Sequence, residues 1–206
     1  MMEAAAGRRN ELLEKIVEVL LVQGISDLSL RPLAEQVGSS ARLLIYHFES
    51  KEKLLSDALD RVRQRIQEEL RKLAANERPR TTEDFLLMFW RWATAKSNQG
   101  YFRLLYEVDG LVLQGRAKFS EAFPGRGIEA WLNLLESIAV QPANGPSDSR
   151  ARATLVPAAV NGLLQDFLAT GDRKRTTEAL RVLVDMLPAK PVQLRKEVKR
   201  ASQGVS

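Results

Sequence analysis

The stretch LRPLAEQVGSSARLLIYHFESKEKLL, residues 30–55, decides the fold. Its first part repeats apolar residues at helical spacing: Leu30, Leu33, Ala34 and Val37. Ser29 stands where an N-cap is expected, and Pro32 falls in the first turn, where a missing N–H costs little. Gly38 ends that helix after about two turns. Ser39-Ser40 then offers a fresh N-cap, and Ala41 to Phe48 makes a third short helix. Leu44 and Phe48, four apart, share one side of it and face Leu33 and Val37. Arg42, Leu43, Tyr46 and His47 are left to the outside. The spacing predicts a helix-turn-helix, whose second helix enters a DNA major groove with its N-terminal residues near base edges.

Working outward, most of the remaining chain also reads as helix. Leu13, Ile16, Val17, Leu20 and Leu21 stripe a first helix from about Arg8 to Gln23, closed by Gly24 in the left-handed conformation. Ser50 caps a long helix from Lys51 to about Ala75. Further helices are expected from Thr81 or Thr82 to about Ser97, and from Tyr101 to Gln114. Residues 115–127 read as irregular, 127–140 as helical and 141–148 as loop. Ser149 is expected to cap a helix to Thr170, and a last helix runs from about Arg173 to Leu187, stopped by Pro188 and Pro191. No segment alternates with period two, so the class is all-α, with about nine helices. Residues 1–50 form a three-helix helix-turn-helix domain and residues 51–187 a larger helical domain. Residues 188–206 form a basic tail that reads as mobile.

Composition closes off several chemistries. The chain of 206 residues has no Cys and one His, which excludes a disulfide scaffold, a thiolate site and a multi-histidine metal site. The longest apolar run, Phe85 to Trp90, is far short of the ~20 residues that span a bilayer, and no signal-peptide apolar region opens the chain. A soluble, cytoplasmic protein is expected. The net charge is +5, but residues 1–72 hold 12 Lys+Arg against 12 Asp+Glu. The basic excess lies mostly in the tail, so the argument for DNA rests on the motif. In a neutral N-terminal domain the basic groups must be segregated onto one face, and binding must lean on few phosphate contacts and on dimerisation.

The segment Ile16 to Gly24, the run Leu30 to Gly38 and the run Ser40 to Leu55 resemble the TetR family of bacterial transcriptional regulators. His47-Phe48-Glu49-Ser50-Lys51-Glu52-Lys53-Leu54-Leu55 is similar to that family's junction into its fourth helix. The motif-bearing resemblance covers about 50 residues; beyond them only architecture and length match. It implies DNA contacts, mostly to phosphate, by Arg31, Ser40, Arg42, Tyr46, His47 and Lys51. Lys51 starts a helix, where its ammonium and the first N–H groups can share a phosphate. Arg42 is able to pair bidentately with guanine, and Leu43 to touch a thymine methyl. Ile45 stands where the family usually has Tyr, so a backbone contact passes to Tyr46 or is lost.

The resemblance also places an effector pocket in the larger domain. Phe89, Trp92, Phe102, Tyr106 and Trp131 are its aromatic candidates, set against plain core as the alternative. Asp109, Asn161 and Gln165 are its polar candidates, since a few polar groups in an apolar cavity give specificity. A second core is expected over about 80–170. Arg103 and Glu107 read as an i, i+4 pair. The last two helices carry two apolar faces each. Leu155, Ala158, Gly162, Val182 and Met186 are expected at a two-fold homodimer interface, with recognition helices about 34–36 Å apart or more on a palindrome.

These readings converge on a sequence-specific DNA-binding regulator, a dimeric repressor released from a palindromic operator by a small-molecule effector. No cofactor and no membrane partner are implied. One alternative is a helical protein-interaction module with a degenerate helix-turn-helix. An α-helical enzyme is the other; no nucleophile–base pair or Gly-rich phosphate loop supports it.

Overall fold

The computed structural model describes residues 2–115 and 146–187, which form eight helices and no strand. They are α1 (Met2–Gln23), α2 (Leu30–Gln36), α3 (Ala41–Phe48), α4 (Lys51–Glu77), α5 (Thr82–Ala93), α6 (Gln99–Leu113), α7 (Pro146–Thr170) and α8 (Arg173–Asp185). The architecture is that expected: a helix-turn-helix at the N-terminus and a larger helical body. The helix predicted at 127–140 and the tail from 188 lie outside the described residues.

Caps set most of these boundaries. The Ser40 hydroxyl accepts from the Leu43 N–H and that of Ser50 from the Lys53 N–H, starting α3 and α4 where the sequence places them. Thr81 and Asp84 form a reciprocal capping box on α5. Ser29 holds the N-cap position of α2 without a side-chain bond. The predicted cap at Ser149 is corrected: α7 already runs from Pro146, because proline's fixed φ suits a first helical position. Helix α1 likewise starts six residues earlier than expected, at Met2.

The buried side chains make one continuous cluster running from Leu12 in α1 to Val184 in α8, not two cores. The cause is α4, which buries Leu54, Leu55, Ala58 and Leu59 and then continues through Val62, Ile66 and Leu70. Within the body, Trp90 packs edge-on to Phe167 and donates to Thr177 Oγ1 at 2.8 Å, tying α5 to the α7–α8 hairpin. That hairpin turns at Gly171, whose positive φ of 72° suits the residue type.

Along the seam between α1 and α4 the charges pair off. Arg61 and Arg65 both reach Glu14, and Arg65 also reaches Glu18. Asp57 takes Arg9 from α1 and Lys53 from its own helix. These pairs neutralise Arg9, Lys53, Arg61 and Arg65 against Glu14, Glu18 and Asp57 behind the helix-turn-helix.

Candidate DNA-reading surface and the body behind it

Helix α3 rests on Leu44 and Phe48, both buried, against Leu33, Ala34 and Val37. Its outward side is centred on Tyr46, 75% exposed, with Arg42 exposed and Ile45 at 38%. Leu43 and His47, expected to be fully available, are instead half-buried. Arg42 and Tyr46 lie opposite Leu44 and Phe48, while Leu43, Ile45 and His47 lie on the flanks, of which the Ile45 side is the open one. Ile45 is therefore part of the presented surface, a role the sequence reading missed. The His47 ring meets Tyr46 edge-on at 5.2 Å.

Three further candidates have intramolecular duties. Ser40 caps α3 through its oxygen, leaving its O–H to donate outward. Arg31 is exposed and only loosely paired with Glu35, at 3.7 Å. Lys51 donates to the Leu28 carbonyl, which anchors the start of α4 to the loop before α2 and leaves two N–H groups over.

Arg9 is a second residue the sequence reading missed. Its guanidinium donates from Nε to the His47 carbonyl at 3.1 Å, pairs with Asp57, and lies over the Phe48 ring at 4.8 Å. One side chain of α1 thereby fixes the end of α3 against α4. The joint itself is strained. Glu49 sits at φ 67°, ψ −49°, and the Ser50 N–H bonds back to Phe48 O at 2.7 Å, the rarer hand of γ-turn.

In the body, Phe89, Trp92 and Phe102 pack on one another with ring centroids 5.7–6.1 Å apart. Phe89 and Phe102 are 1% exposed each. Trp92 stacks on Tyr101 and donates to Glu69 at 3.1 Å, and the Tyr101 hydroxyl donates to the same carboxylate. Of these three pocket candidates Phe89 and Phe102 are buried and Trp92 is half-buried. Tyr106 and Asn161 do meet: the phenol donates to Asn161 Oδ1 at 2.6 Å, joining α6 to α7. Burial raises the Tyr106 pKa, and the nearby Asp109 charge adds to the effect. Burial also raises the Asp109 carboxyl, against the lowering pull of Arg63 on α4. Gln165 is exposed, and Trp131 lies outside the described residues.

The expected Arg103–Glu107 pair is corrected. Arg103 donates to Gln99 at 3.3 Å. Glu107 instead accepts from the Ile25 N–H at 3.0 Å, the Ser26 N–H at 2.6 Å and the Ser26 hydroxyl at 2.5 Å. The long-range partners win because consecutive backbone amides after the left-handed Gly24 form a concave nest for an anion. A mobile surface i, i+4 pair offers far less.

The five residues expected at an interface all lie on the surface of the single chain. Leu155, Val182 and Met186 are 62%, 60% and 76% exposed, and Ala158 and Gly162 are exposed beside them. Among the described residues no group of three or more His, Asp or Glu converges as a metal site would, and no helix is long and apolar enough to cross a membrane.

Residues 12–58 match the family described as bacterial regulatory proteins, tetR family. No curated protein matches the chain. Among solved structures, a transcriptional regulator from Rhodococcus sp. Rha1 is similar, at TM-score 0.66 and 16% identity, over 86% of this chain and 94% of that one. The multidrug binding protein EbrR, solved with imidazole, is similar at TM-score 0.60 and 18% identity, over 89% of this chain and 92% of its own. It has also been solved with malachite green, at TM-score 0.60 and 19% identity, over 88% and 98%. Residues 12–58 thus match the model of the tetR family of bacterial regulatory proteins, and the chain as a whole has a fold similar to that of a solved transcriptional regulator.

Proposed function

We propose that the protein is a cytoplasmic, homodimeric repressor that binds a palindromic DNA operator and is released by a small-molecule effector. The observation that carries the reading is the outward side of α3. Arg42 and Tyr46 are exposed on a helix held rigidly from behind by Leu44, Phe48 and Arg9. Arg42 reads a base edge, while Arg31, Ser40, Tyr46, His47 and the remaining N–H groups of Lys51 meet phosphates and fix the register. Leu43, half-buried, is left with at most a glancing contact to a thymine methyl.

A second copy of the chain covers the apolar side of α7 and α8 at Leu155, Ala158, Gly162, Val182 and Met186. Two-fold pairing there gives two recognition helices, as a palindrome requires. The effector enters the body, where Asp109 is half-buried and Tyr106 and Asn161 already form a polar pair. That EbrR binds malachite green within a similar fold supports a ligand-binding body.

Fluorescence anisotropy with the DNA upstream of the protein's own gene tests the reading, against a scrambled duplex and at two salt concentrations. The expected result is tight, salt-dependent binding to the upstream duplex, weakened roughly tenfold or more by Arg42→Ala. Equal weak binding to both duplexes, indifferent to Arg42→Ala, overturns it in favour of an interaction module.

A further inference from the structure

We propose that Glu107 is a positioning residue that sets the angle of the DNA-reading helices against the helical body. The proposal rests on the regulator reading above. Helix α6 meets the N-terminal region both at α1 and at the loop that follows it. Near its start, Gly100 lies so close to α1 that a Cβ there would fall 2.9 Å from the Leu21 carbonyl oxygen. Seven residues on, Glu107 holds the amides of Ile25 and Ser26 and the Ser26 hydroxyl. A Cβ on Gly24 would overlap that carboxylate, so the close approach depends on glycine as much as on glutamate. Those held amides sit between the end of α1 and α2, the first helix of the helix-turn-helix.

The arrangement has the geometry of a pivot and a catch. The two contacts are about 10 Å apart along the helix. A tilt of roughly 6° about Gly100 therefore moves Glu107 by about 1 Å, which takes bonds of 2.6–3.0 Å beyond hydrogen-bonding range. The same turn of α6 reports on the rest of the body. Tyr106 is bonded to Asn161 of α7, and Asp109 interacts electrostatically with Arg63 of α4. A change in how α6 sits against α7 is thus transmitted to the loop that carries α2. This link runs beside the covalent one through α4 and ends on a different part of the N-terminal domain.

The test compares the full-length protein with Glu107→Gln and Ser26→Ala. Gln keeps the shape and one acceptor oxygen but loses the charge and sets an NH2 against the Ile25 N–H in place of Oε2, and Ser26→Ala removes one donor only. Hydrogen exchange over residues 24–28 is expected to quicken roughly tenfold in Glu107→Gln and less in Ser26→Ala, with α7 and α8 unchanged. Anisotropy is then run on the duplex that the wild type binds and on the same duplex with one base pair inserted at its centre. The wild type discriminates between them; Glu107→Gln is expected to discriminate several-fold less, because its two heads are no longer held at one spacing. Unchanged exchange in both variants overturns the proposal. So does quickened exchange with undiminished discrimination, which makes the carboxylate a loop staple only. If Glu107→Gln loosens everywhere, Ser26→Ala decides on the same two readouts. A wild type that binds neither duplex sinks the regulator reading first, a failure distinct from a discriminating wild type matched by its variant.

Discussion

The outward faces of α3 and of the α7–α8 hairpin are both left uncovered by the other described residues, yet they differ in make-up. On α3 the exposed groups are a guanidinium, a phenol and one branched aliphatic, Arg42, Tyr46 and Ile45, and every neighbour beneath them is pinned. On α7 and α8 the exposed large apolar groups are Leu155, Val182 and Met186, with Ala158 and Gly162 small beside them and Gln165, Glu178 and Asp185 polar at the margins. The first face offers donors in a fixed array and suits a charged, patterned surface. The second offers area without pattern and suits a copy of itself. Under the proposed function the first is the DNA face and the second the dimer face.

The sharpest way to break this comparison is to put charge on the apolar face. Val182→Glu with Met186→Glu is expected to convert the protein wholly to monomer in sedimentation velocity. Operator affinity should fall by roughly two orders of magnitude, because the second half-site contact ceases to be intramolecular. A dimer that survives the double charge removes α8 from the interface. Next in size is the support behind the polar face. Phe48→Ala leaves a cavity under α3 and unseats Arg9, and should lower unfolding stability by about 3–5 kcal/mol in a chemical denaturation series. A loss below about 1 kcal/mol means that α3 is not held from behind.

A smaller effect separates register from readout. Arg31→Ala should weaken binding to specific and scrambled duplexes alike and reduce the salt slope of log K by about one per subunit. A loss confined to the specific duplex makes Arg31 a base reader instead. The smallest effect lies in the α1–α4 seam. Burial would raise the Glu14 carboxyl, but hydrogen bonds from Arg65 and Arg61 outweigh it and leave its pKa below the ordinary value of 4.5. Its contribution to stability is therefore present above that value and lost as pH falls through the lower, folded one. Glu14→Gln should cost on the order of 1 kcal/mol at neutral pH, a gap to the wild type that closes in thermal melts as pH falls through the lowered, folded-state pKa of Glu14. A gap that stays constant to low pH shows that the ion pairs carry no weight.

Much of the fold was legible because its punctuation is local. Ser40, Ser50, Thr81 and Gly38 act within four residues of themselves, so the boundaries of α2, α3 and the start of α4 could be read directly. The residues that join elements were not legible. Arg103 and Glu107 have a spacing that satisfies a helical pairing rule, and nothing in the pattern announces the amides of Ile25 and Ser26 more than 80 positions earlier. Arg9 lies in an unremarkable basic pair, and its use depends on where the chain returns 38 and 48 residues later. Candidate pocket aromatics such as Phe89 and Phe102 were legible only as inward-facing side chains, which they are; periodicity cannot tell a lining from a filling.

The continuity of the buried cluster from α1 through α4 bears on how this protein can be recombined. On sequence, residues 1–50 look like a detachable cartridge, to be exchanged for another operator preference. In the folded chain that cartridge borrows Asp57, Arg61 and Arg65 from α4 for its ion pairs and Leu54, Leu55 and Ala58 for its floor. A chimaera cut at residue 50 strands each of these. The portable unit extends through the first half of α4, and a host body that accepts it must bring its own carboxylate to the place of Glu107.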